Sequence, residues 1–194
     1  MMLLSGLDTT DALPKGVVDK LAARRIRFVI KYCADSGDYP NKRLTHGERS
    51  LLVAAGIRSG FVFERGNSPQ YFTAAQGKED GNKVVDYFGE LGVASKVACF
   101  GAYDLDIEPS RVFDYASTFR EVIEPAGWLP GAYGSGAVLK ALKDAGLIHF
   151  AWKSNARLWS NYDGFTEWDI LQITGSVAGL ASDPDTAVNL KWAW

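Results

Sequence analysis

Short apolar runs along the chain alternate with longer stretches in which apolar residues recur every three or four positions, the signature of strands alternating with amphipathic helices. Leu3–Leu7 predicts a first strand, and Lys15–Arg24, with Val17, Val18, Leu21 and Ala22 at helical spacing, predicts the helix that follows it. Arg27–Cys33 is a second apolar run. Its outgoing segment, Asp35–Arg43, is rich in Gly, Asp, Pro and Asn and predicts irregular structure. Thr45-His46-Gly47-Glu48 has the Thr-x-x-Glu arrangement of a capping box and opens a helix over His46–Ala55, which Gly56 stops. Ile57–Glu64 is the third strand. Ala74–Leu91, with Val84, Val85, Phe88 and Leu91 on one face and Gly92 as terminator, is the next helix.

The run from Val97 ends abruptly in alternating carboxylates, Tyr103-Asp104-Leu105-Asp106-Ile107-Glu108, ahead of a helix predicted from Pro109 to Ala126. Leu129–Tyr133 is a fifth strand, followed by a helix over Gly136–Ala145 that Gly146 stops. Beyond this point the rhythm changes. His149–Ser154 and Trp168–Ile173 are strand-like, but the segment between them is too polar and aromatic for a clear helix. Strand and helix in alternation give a parallel sheet with right-handed crossovers. The expected fold class is therefore α/β, a modified TIM barrel with about five βα units followed by three strands with few covering helices, formed as one domain over residues 1–194. The competing open doubly wound sheet lacks support, because no G-x-G-x-x-G or phosphate-binding loop follows any strand.

Closure of such a barrel brings the strand ends to one mouth, and those ends carry Asp8, Glu64, Asp104, Tyr133, Trp152 and Gln172. Asp104 comes directly off the most apolar run, Asp106 follows in the same loop, and Glu108 is expected only to cap the next helix. Several carboxyl groups around a cleft walled by Tyr and Trp suit a carbohydrate: glycosidic cleavage needs one carboxyl as acid and another as base, nucleophile or electrostatic partner. Aromatic rings offer flat apolar faces to sugars, although most of the six Trp in a chain of this size are expected to serve packing. Glu64 is the preferred general acid and Asp104 the group that stabilises positive charge developing on the sugar.

Composition narrows the field further. A chain of 194 residues with a net charge of −2 and no dense Lys/Arg block argues against a nucleic-acid surface. Met1–Leu4 is apolar but lacks a basic leader and meets Asp8 too soon for a signal peptide or a membrane span, so synthesis in the cytoplasm is expected, with later release towards the cell wall. Cys33 and Cys99, on the second and fourth strands, are expected to be buried free thiols about two strand spacings apart, too far for a bridge. His46 and His149 form no triad or metal cluster with Cys by spacing. No EF-hand loop or zinc signature is present, and no cofactor or metal is assigned.

The ordered set Gly6-Leu7-Asp8-Thr9, Phe63-Glu64, Tyr103-Asp104-Leu105-Asp106, Ala132-Tyr133-Gly134, Trp152-Lys153-Ser154 and Leu171-Gln172-Ile173 resembles the glycoside-hydrolase-like family known as domain of unknown function 1906, itself similar to the family 25 lysozymes. The resemblance covers nearly the whole chain. It implies a modified TIM barrel and, by relation, hydrolysis of peptidoglycan glycan strands, the chemistry of a muramidase or a phage endolysin. It also implies catalytic roles for Asp8, Glu64, Asp104 and Asp106 and substrate contacts for Tyr133, Trp152, Gln172 and Asp183. Lys153 departs from the family's Gln, and from near the mouth it is expected to pair with a carboxylate, as Arg65 could. Membership does not by itself imply turnover. A non-catalytic carbohydrate-binding or wall-associated module on the same barrel is the alternative.

Overall fold

The structure, a computed structural model, describes residues 3–34 and 42–194, so most of the irregular segment expected at Asp35–Arg43, with Met1 and Met2, lies outside the described residues. Eight strands close into one barrel in sequence order: β1 (Leu4–Thr9), β2 (Phe28–Tyr32), β3 (Arg58–Phe63), β4 (Ala98–Ala102), β5 (Leu129–Gly134), β6 (Phe150–Lys153), β7 (Ile170–Gln172) and β8 (Ser182–Ala187). The first seven run parallel, and β8 is antiparallel to both of its neighbours, β7 and β1. Helices α1 (Lys15–Ala23), α2 (His46–Ala54), α3 (Ala74–Leu91), α4 (Phe113–Ile123) and α5 (Gly136–Asp144) follow strands β1 to β5 in turn. The predicted βα rhythm and its late collapse are both present.

Local signals explain most boundaries. Thr45 Oγ1 accepts from the Glu48 N–H and Glu48 Oε2 accepts from the Thr45 N–H, closing the capping box at the start of α2. Gly92 ends α3 in the left-handed conformation (φ 68°), which costs a glycine nothing. The helix expected over Pro109–Ala126 is divided: Pro109–Arg111 is a 3-10 turn, Val112 departs from helical geometry (φ −111°, ψ −4°), and α4 begins only at Phe113.

Strand alternation sorts the chain into two apolar layers. Odd positions of the first strands, such as Leu7, Val29, Phe61, Phe63 and Cys99, face outward into the layer beneath the helices. Phe28, Ile30, Val62, Phe100, Trp152 and Ile170 face inward and fill the barrel. Trp192 completes that interior from below: it is fully buried, edge-on to Phe28 at 5.1 Å and to Phe100 at 5.8 Å. Its carbonyl accepts from the Ala98 N–H at the entry of β4, and Trp194 exchanges both backbone bonds with Ser59. Only Gly fits at position 60, where a Cβ would come within 2.5 Å of the Trp192 ring. The barrel is therefore plugged at the end opposite its mouth.

The cysteine geometry differs from expectation. Cys33 and Cys99 are buried free thiols, but their sulfurs lie 3.7 Å apart. Strand spacing measures backbones. Cys33 sits one residue beyond β2, its N–H bonded to the Val62 carbonyl of β3, and from there its thiol meets that of Cys99 over β3.

Candidate active site

The inward positions at the C-terminal strand ends form a cleft of about 160 Å³ lined by Asp8, Tyr32, Val62, Glu64, Ala102, Asp104, Tyr133, Trp152, Gln172 and Asp183. All of the sequence-predicted site residues except Asp106 thus come to one mouth. Each sits where the two-residue period of its strand points into the barrel. Asp183 is opposite Asp8 across the β1–β8 ladder, and Gln172 is opposite Asp185 across the β7–β8 ladder.

The carboxyl groups occupy different environments. Asp8, only 6% exposed, is pushed up to about 7, chiefly by burial and further by the charges of Asp183 and Glu64. A hydrogen bond from Gln172 Nε2 to Asp8 Oδ2 (3.2 Å) opposes that rise. Gln172 is itself oriented, because its Oε1 accepts from the Tyr133 hydroxyl at 3.0 Å. Asp104 stands at the rim, more open to solvent, and is raised above the ordinary carboxylate range by partial desolvation and by the neighbouring Glu64. Glu64 is engaged by a cation: Lys42 Nζ lies 3.2 Å from its Oε2 and 3.9 Å from the centre of the Tyr32 ring. Burial and the surrounding carboxylates push the Tyr32 hydroxyl up, so it enters the cleft as a neutral hydrogen-bonding group.

Three expectations need correction or placement. Lys153 and Arg65 are not the cations of the cleft. Lys153 follows the inward Trp152 and so points outward, where its Nζ donates to the carbonyls of Tyr162 and Phe165. Arg65 pairs with Glu79. Asp106 is not among the residues lining the cleft, and its two oxygens accept from the N–H and the hydroxyl of Ser160 at 3.0 Å each, holding the β6–β7 loop. The sequence reading missed Lys42, which lies in a segment notable only for its turn residues, and Asp185, which shares a face with Asp183 two positions away. Among the described residues, no group of three or more His, Cys, Asp or Glu side chains is arranged to hold a metal ion.

Comparison with known proteins decides the family. Residues 19–185 match the family described as Rv2525c-like, glycoside hydrolase-like domain. The chain belongs to that family. No curated protein matches it significantly. Among solved structures, the Mycobacterium tuberculosis Tat-secreted protein Rv2525c, in complex with L-tartrate, is similar with a TM-score of 0.85 at 15% identity, covering 100% of both chains. The catalytic domain of endolysin Ply40 from bacteriophage P40 of Listeria monocytogenes is similar with a TM-score of 0.67 at 14% identity, covering 98% of this chain and 96% of that one. The modular autolysin LytC from Streptococcus pneumoniae, solved with a synthetic peptidoglycan ligand, gives 0.60 at 11% identity, covering 95% of this chain and 46% of that one. At such identities the likeness is one of fold. The chain thus shares its barrel fold with an endolysin and an autolysin, and no helix among the described residues is long and apolar enough to cross a membrane.

Proposed function

We propose that the cleft binds and hydrolyses the glycan of bacterial peptidoglycan, as a muramidase-like glycosidase. One observation carries this reading: carboxyl groups in unlike surroundings, some buried and one paired with a cation, face one small mouth. Asp8 and Asp104 are raised, while Glu64 is paired with Lys42. Glycosidic cleavage requires such a division of labour, with one carboxyl retaining a proton for the leaving oxygen and another negative near the developing oxocarbenium charge. The ion pair at Glu64 suits the negative role and moves the proton-donating role from Glu64 to a raised aspartate. Asp104, at the accessible rim, is the better donor to a substrate oxygen, and Asp8 lies deeper. Tyr133, Trp152 and Tyr32 would wall the sugar, and Gln172 and Asp183 would accept or donate at its hydroxyls. The cleft is below the roughly 300–1,000 Å³ of drug-sized pockets, so one sugar unit would enter it while the polymer runs over the rim.

A second reading, a binding module without turnover, is favoured by one feature. Asp106 is committed to Ser160 and adds no carboxyl to the cleft. Clearing of purified peptidoglycan, with release of reducing ends, separates the two. Asp104→Asn and Glu64→Gln should fold normally and lose about 10²–10⁴ in rate. If the parent releases no reducing ends but sediments with peptidoglycan, and Asp104→Asn does not alter this retention, the hydrolase reading is wrong and the binding module replaces it.

A further inference from the structure

Below the rim, a carboxyl that forms no part of the cleft lining is buried in the barrel wall. Asp185 is 1% exposed; its Oδ1 accepts from the indole N–H of Trp152 at 2.9 Å, and its Oδ2, equally buried, meets no donor among the described residues. Its ladder partner on β1 is Gly6, which offers no side chain, and Asp8, two residues farther along the same inward face, brings its carboxyl within hydrogen-bonding reach. An ionised carboxylate only accepts, so two of them cannot bond to each other, whereas a carboxylic acid and a carboxylate can. A buried oxygen left without a donor carries a penalty that one proton between the two side chains removes.

We propose that Asp185 is a positioning residue that shares one proton with Asp8 through an O–H···O hydrogen bond, fixing the Asp8 carboxyl between Asp185 below and Gln172 above. No bond other than that to the proton is made or broken. The sharing itself does not depend on the hydrolase reading; only its effect on turnover rests on it. The charged and titratable groups facing the pair are Tyr32, the Lys42–Glu64 ion pair, Asp104, Tyr133 and Asp183. All but Lys42 are acidic groups, and Lys42 is engaged with Glu64, so the surroundings oppose double ionisation of the pair. Burial acts in the same direction: it raises both carboxyls, Asp185 well above the ordinary range, and the charge of Asp8 raises Asp185 further. The donors Trp152 and Gln172 act against this, one on each carboxyl.

The test is carboxyl-carbon NMR of the full chain with labelled aspartate, followed from pH 4 to pH 9. Two resonances, of Asp8 and Asp185, should move together over the step in which Asp8 titrates, near pH 7. Asp185→Asn keeps the shape and can donate to Asp8 permanently; it should remove one resonance and lower the Asp8 midpoint by at least one pH unit. Trp152→Phe, which removes the indole donor, should shift the pair upward and serves if Asp185→Asn does not fold. An Asp8 midpoint in the ordinary carboxylate range, or one unchanged by either variant, overturns the proposal. Coupled titration in a protein that fails to cleave peptidoglycan would support the shared proton and sink the hydrolase reading instead.

Discussion

Gln172 Nε2 donates to Asp8 Oδ2 at 3.2 Å while its Oε1 accepts from the Tyr133 hydroxyl at 3.0 Å, so one amide fixes the directions of a tyrosine and a buried acid on opposite sides of the mouth. The amide cannot turn over without placing its N–H₂ against the hydroxyl and its oxygen against the carboxylate. Because this donor holds Asp8 below the value that burial alone would set, Gln172→Ala should raise the Asp8 midpoint from about 7 by about one pH unit, the worth of a hydrogen bond to a charged group. Carboxyl NMR checks the shift, and the limb of any pH–rate profile governed by Asp8 should move with it.

The same burial makes stability depend on pH. Asp8 has a folded-state pKa near 7, above the roughly 3.9 of an unfolded aspartate, so between these values the native state binds more protons than the unfolded one. Stability should therefore fall as pH rises from about 4 to about 7, by up to a few kcal/mol, and the part that Asp8 contributes is lost above neutrality. Thermal melting at pH 5 and pH 8 should give the higher Tm at pH 5, and Asp8→Asn should flatten the difference.

Cys33 and Cys99 are in contact yet sealed from solvent, and burial pushes the Cys33 thiol well up, away from thiolate. Iodoacetamide should leave both unmodified in the folded protein at pH 7.5 and label both in denaturant, as mass spectrometry would record. Cys99→Ser puts a hydroxyl in the outer apolar layer and should cost about 1–3 kcal/mol in denaturant unfolding.

Trp192→Ala should destabilise the chain by about 3–5 kcal/mol, since it empties the floor against Phe28 and Phe100. The change is remote from the mouth. Below the lowered Tm, the carboxyl titrations of the cleft should match those of the parent.

How far the sequence could be followed depended on where the apolar residues were. In β2 to β4 both faces are largely apolar, and helices α2, α3 and α5 open on the side-chain caps Thr45, Thr73 and Ser135 and are stopped near Gly56, Gly92 and Gly146, so those elements stood out within a few residues. Strand β8 was invisible for a physical reason. It reads Ser-Asp-Pro-Asp-Thr-Ala, because its inward positions near the mouth are the acids Asp183 and Asp185, and its Pro184 interrupts the usual strand composition. Asp8, Glu64, Asp104 and Gln172 could be found because each closes a legible strand. Lys42 could not: nothing in a loop's composition says which of its cations folds back over Tyr32 towards Glu64. Lys153 misled for the complementary reason, since its place beside Trp152 suggested the mouth while the strand's alternation turned it outward.

Strand β8 joins β1 across more than 170 positions of chain, as in the bond from the Thr9 hydroxyl to the Ala181 carbonyl. During synthesis the ribosome must deliver residues 182–187 before the ring can shut, so β1 waits with one edge unpaired while the other strands are made. Asp8 meets Asp183 and Asp185 only at that moment. The cleft is therefore completed only when the eighth strand arrives, and a nascent or truncated chain that lacks this strand carries its acids as separate, unassembled parts.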